Sequence, residues 1–214
     1  METLEERGLL AIFGLPWPDP GHLTLSFAPD GTNVGGAPNA LYQTLDPKLA
    51  NVWQTTVLRA FQSWAAKANI NIGVVSDNGQ PFGQPGPLQG NPGAGDIRIA
   101  ARPLSADTLA LATPFDLFNS WAGDVLLNSN ARFGNGSNGT QDLFDAALHE
   151  AGHVFGLDDN PNDPTSALYT QDLGNKTGPS ASDIAALQAL YGTRQADPGG
   201  VSSFGKATTV PYVT

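Results

Sequence analysis

Two histidines four residues apart, His149 and His153, with Glu150 between them, constrain this chain more than any other feature. Four residues on a helix turn through about 400°, so both imidazoles leave one face within reach of a single ion. Glu150 is rotated about 100° from His149, beside such an ion rather than on it, which is where a general base for a metal-activated water stands. Gly156 follows three residues after His153, where a helix breaks and the chain turns back, and Asp159 then comes within reach as a third ligand from the other side. Asp158 is its immediate neighbour and the alternative donor; its offset from Gly156 favours Asp159. Two imidazoles and a carboxylate with one position left open suit zinc. The pattern is that of a metal hydrolase site.

The 214 residues suffice for one sizeable domain with tails. Only 14% are charged, while 25 are glycine and 17 proline, so short regular elements separated by long turn-rich loops are expected. A net charge of −10 excludes the basic surface that nucleic acid requires. No cysteine is present, which removes disulfides, a thiolate zinc site and cysteine-dependent latency. No apolar run has the length of a membrane span. The acidic start Met1–Arg7 and the brief apolar run to Leu15 make a poor secretory signal. The chain reads as one domain of about 175 residues with irregular ends, an N-terminal segment 1–15 and a small, polar tail or linker over 193–214.

Along the domain, alternation predicts strands at Leu23–Phe27 and Ile70–Val74, and Asp96–Ala101, Thr108–Thr113 and Asp124–Asn128 read as three more. Asp46 as N-cap and Pro47 in the first turn predict a helix to about Ala68, with Val52, Trp53, Thr56, Val57, Ala60, Phe61 and Trp64 as its apolar stripe. Thr140 is the expected N-cap of the histidine-bearing helix, whose core face is Phe144, Leu148, Ala151 and Phe155. Ser180, with Asp183 three residues later, opens a last helix that stops at Gly192. Asp77–Gly95 is rich in glycine and proline and reads as a long irregular loop, functional or mobile. The class is α+β.

HEAGHVFGLDD resembles the extended zinc signature of metzincin metalloproteases, in the variant whose third ligand is aspartate. DPTSALYT and PSASDIAALQALYG are similar to the turn and last helix that close a matrixin catalytic domain; GDIRIA, TLALATPF and AGDVLLNSNARF are similar to its strands. The resemblance covers roughly residues 16–192. It implies a mixed, twisted five-stranded sheet with three helices, and a zinc endopeptidase with His149, His153 and Asp159 on the metal and Glu150 as general base. It also implies that Leu109, Ala110, Leu111 and Ala112 form an edge strand pairing with an extended peptide, and that the protein is a secreted or extracellular monomer.

Three departures from the family pattern stand out. Leu168 occupies the place of the methionine beneath the zinc, a swap of similar volume that costs under about 1.5 kcal/mol. A carboxylate third ligand cancels part of the metal charge and makes the bound water less acidic. Leu111 and Leu126 stand near the histidines that hold a structural zinc in animal matrixins, so one zinc is expected. Asp124 matches a calcium-ligand position, and Asp77, Asp96, Asp107, Asp116 and Asn128 are further oxygen donors, so Ca2+ is a second candidate cofactor. The competing reading is a non-catalytic metal-binding module of a larger extracellular protein.

Overall fold

The computed structural model describes residues 14–50, 52–134, 137, 141–170 and 176–195. In chain order its elements are β1 (Leu23–Phe27), β2 (Asn33–Val34), β3 (Ala37–Pro38), α1 (Leu41–Leu49), α2 (Val52–Ala65), β4 (Ile72–Val74), β5 (Ile97–Arg102), β6 (Ala110–Ala112), β7 (Asp124–Asn128), β8 (Phe133–Gly134), β9 (Gln141–Asp142), α3 (Leu143–Val154) and α4 (Ala181–Tyr191). The strands predicted from alternation form one five-stranded sheet in the order β4-β1-β5-β7-β6. Four run parallel, and β6 runs antiparallel to β7 at the edge, with Leu111 opposite Leu126. This is the α+β architecture with a mixed five-stranded sheet that the sequence predicts.

Central strands β5 and β7 are buried along almost their whole length, which requires cover on both faces. One face packs under α2 and α3, where Trp53, Phe61, Trp64, Leu148 and Phe155 are essentially inaccessible. The other is covered by the Asp77–Gly95 loop, whose Phe82 joins Val34, Ala100 and Leu126 in a second, smaller cluster. That loop has no regular structure, as its composition predicts, yet it is firmly held. Arg98 of β5 donates two hydrogen bonds to the Asp77 carboxylate, both at 2.9 Å, and its guanidinium lies 3.9 Å above the Phe82 ring. An aromatic anchor and a bidentate ion pair close the sheet where a second helical layer would otherwise be needed.

The first predicted helix is divided and begins earlier. Asp46 and Pro47 lie inside α1, not at its start, and Ala50 at φ 44° separates α1 from α2. The cap is remote: the Asp30 carboxylate accepts from the amides of Tyr42 and Gln43, and the Asn39 side chain from that of Leu41. The Asp30 cap, 12 and 13 residues upstream of the amides it accepts from, leaves no local signal. Asp46 accepts instead from the Trp53 indole across the break. Within α2 the expected stripe holds at Trp53, Val57, Ala60, Phe61 and Trp64, but Val52 is 63% exposed. The last helix has the predicted capping box, Ser180 with Asp183, and ends at Gly192.

Candidate metal centre

Helix α3 carries both histidines. Thr140, its expected N-cap, lies outside the described residues; the cap is Asp142, whose carboxylate accepts from the amides of Phe144 and Asp145. Leu148 and Ala151 face the core, while His149 and His153 sit on the adjacent, partly open stripe. Aromatic donors from three other segments fix the helix. The Trp64 indole bonds to the Leu148 carbonyl at 2.8 Å, the Trp17 indole to that of Val154 at 3.0 Å, and the Tyr191 hydroxyl to that of Phe155 at 3.1 Å. Gly152 lets the packing close. A Cβ there would lie 2.7 Å from Leu168 and 2.9 Å from Trp64, so only glycine lets both side chains reach the helix one turn beneath the histidines.

Beyond His153 the helix ends at Gly156, where φ is +88°, and the chain reverses. The reversal brings Asp159 back across the open face. Asp159 Oδ1 lies 3.3 Å from His149 Nε2 and 3.6 Å from His153 Nε2, and the two Nε2 atoms are 3.0 Å apart. Four-coordinate zinc with bonds of about 2.0–2.1 Å holds neighbouring ligand atoms about 3.3–3.4 Å apart, so this triangle has the right size. The chemistry of the donors agrees. His149 Nδ1 faces the Ala167 carbonyl at 3.1 Å and His153 Nδ1 that of Leu157 at 2.9 Å. Ring protons at those positions leave both Nε2 atoms as acceptors turned toward Asp159, a set that a cation binds. Asp158 is turned to a different task, accepting from the Asp159 amide at 2.9 Å.

Glu150 is 6% exposed, and its Oε2 is buried without a hydrogen-bond partner among the described residues. Burial, reinforced by the nearby Asp159 charge, pushes its carboxyl up to about 8. Such an orphaned buried acid beside a metal-sized donor set marks a functional position more than a packing one. Strand β6 runs along the same cleft: Leu109 and Ala110 line a cavity of about 290 Å³ together with His149 and Glu150, while Leu111 faces outward at 48% exposure. Leu168 is fully buried against Gly152, on the core side of the histidine-bearing helix.

Asp183 has a role that its place in a capping box does not reveal. Fully buried, it accepts from the Ser166 hydroxyl, the Ala167 amide and the Ser180 amide. It therefore ties the start of α4 to the turn that supplies the Ala167 carbonyl behind His149. A capping box is a local signal; the second grip depends on the chain returning from residue 166.

A search of curated proteins returns no match. The matrixin family model matches residues 94–192, which take in β5, β6, β7, the metal-sized donor set and α4. That match, the sheet and the histidine-bearing helix agree in supporting a matrixin-like metzincin over residues 94–192.

Proposed function

We propose that the protein is a zinc-dependent endopeptidase in which His149, His153 and Asp159 hold the metal and Glu150 is the general base. The observation that carries this reading is the convergence of three acceptor atoms, all within 4.8 Å of one another, beside the buried Glu150 Oε2, which has no hydrogen-bond partner among the described residues. When bound, zinc supplies a Lewis acid that polarises a carbonyl oxygen and acidifies water. Glu150 takes the proton from the attacking water and returns it to the departing amine. The outer edge of β6 pairs with the extended peptide backbone and fixes the scissile carbonyl above the histidines. Leu168 serves as the floor beneath them. The domain spans residues 16–192 and acts as a monomer outside the cell. None of the described helices is long and apolar enough to cross a membrane.

A mixed peptide library tests this directly. Zinc-replete protein is expected to cleave it, and a chelator to stop cleavage reversibly. Tight zinc binding without any cleavage would favour the non-catalytic module.

The calcium expectation narrows to one residue. Asp77 is engaged by Arg98, Asp96 by Thr24 and the Gly90 amide, Asp116 by the Phe118 amide, and Asn128 by four backbone groups around it. Asp107 is exposed at the cleft, away from such a cage. Asp124, 5% exposed, lines a small cavity of about 90 Å³ under the long loop, and burial pushes its carboxyl up to about 8, against the pull of Arg98 and with a push from Asp77. We propose Asp124 as the calcium ligand. In chelator the folded protein keeps a proton that the unfolded chain releases near 3.8, so stability is expected to fall as pH rises from about 4 to about 8. Calcium is expected to raise Tm at pH 8 and Asp124→Asn to abolish that rise. An unchanged Tm in millimolar calcium would remove calcium from the site.

A further inference from the structure

Between His153 and Asp159, three consecutive carbonyls meet donors that come from far along the chain. Val154 accepts from the Trp17 indole at 3.0 Å, Phe155 from the Tyr191 hydroxyl at 3.1 Å, and Gly156 from the Gly14 amide at 3.3 Å. These donors are linked, because the Trp17 amide donates to the Tyr191 hydroxyl oxygen at 3.3 Å. The same segment is also tied to the loop after β6. There the Leu15 amide donates to the Phe115 carbonyl at 3.1 Å, and the Trp17 and Phe115 rings lie 4.7 Å apart. Gly123 makes room for the indole: its φ is +83°, and a Cβ there would lie 2.9 Å from the Trp17 ring. Trp17 is 2% exposed, although it belongs to no helix or strand.

We propose that residues 14–17 form a strap that positions the third metal ligand, with Trp17 and Tyr191 as positioning residues for Asp159. This rests on the metal reading above. Asp159 has a side chain 46% exposed, so its place at the histidines depends on the backbone that carries it. Inside the turn, the Gly156 amide donates to the His153 carbonyl at 2.8 Å and the Leu157 amide to that of Gly152 at 3.1 Å. Those bonds shape the reversal, and the three remote donors fasten it to the body of the domain. Carbonyls at a helix end lack intrahelical donors, and burying one unmet costs more than its bond was worth. Without the strap the turn therefore opens toward water. Zinc binding must then close it, and affinity falls with the fraction of molecules already closed.

The test uses the full-length protein and zinc alone, with affinity read by competition with a chromophoric chelator. Trp17→Phe and Tyr191→Phe each keep an aromatic ring and remove the donor. Each is expected to weaken zinc binding roughly fivefold, the worth of about one hydrogen bond. In an Asp159→Ala background the same changes are expected to have less than about a twofold effect, because the strap acts through that residue. A merely structural strap would lower Tm and leave the zinc constant unmoved. That result, or an equal loss with Asp159 already alanine, overturns the proposal. A second arm is read in zinc-free protein by hydrogen exchange. Trp17→Phe is expected to quicken exchange of the Gly156 and Leu157 amides about fivefold more than that of amides in β5. An equal change in both regions overturns the strap. If Asp159→Ala leaves zinc binding intact, the metal reading fails, and this arm still decides whether residues 14–17 hold the turn.

Discussion

Replacing Glu150 by alanine is expected to lower kcat/KM for peptide cleavage by about 10²–10⁴-fold while zinc stays bound at one equivalent. The two effects separate because Glu150 lies beside the donor triangle and not in it. The triangle consists of the two Nε2 atoms and Asp159 Oδ1, whereas Glu150 lines the cavity beside them, its Oε2 buried with no hydrogen-bond partner among the described residues. A carboxyl that burial holds near 8 is a stronger base, once ionised, than an exposed glutamate, which suits it to take a proton from water near neutrality. Glu150→Gln serves as the near-isosteric control and is expected to behave like alanine, since an amide cannot accept that proton. Metal analysis and peptide kinetics on the same preparation give the answer. Undiminished turnover in either variant would remove Glu150 from the mechanism.

Asp159→Ala is expected to weaken zinc binding by at least about 100-fold, the scale on which even an outer partner of a ligand matters. Asp158→Ala is expected to cost about tenfold or less, because Asp158 acts through the Asp159 amide and orients the ligand-bearing turn. Competition with a chromophoric chelator measures both constants. The opposite ranking, with zinc lost from the Asp158 variant and kept by the Asp159 variant, would assign the third donor to Asp158.

Much of this site was legible because its determinants are local. The spacing of His149 and His153 is a helical spacing, and Gly156 is a backbone necessity. The same holds for the sheet, where local apolar runs placed all five strands, although β4 and β6 prove shorter than their apolar patterns. Features built from distant residues escaped. Asp30 caps α1 from the preceding loop, so the punctuation at Asp46 and Pro47 pointed to a start that lies inside the helix. Asp183 doubles as the anchor of the turn behind His149. Arg98 reads as one polar residue in an apolar strand, and only the fold shows it gripping Asp77 and stacking on Phe82 to make a long loop into a second cover for the sheet.

The central claim is that one zinc ion sits among His149, His153 and Asp159. Anomalous diffraction recorded on both sides of the zinc absorption edge tests it most directly. The expected result is a single peak in this region, about 2.0–2.2 Å from His149 Nε2, His153 Nε2 and an Asp159 carboxylate oxygen. A peak bound by Asp158 in place of Asp159, or no peak between the two histidines in zinc-replete crystals, would contradict the account.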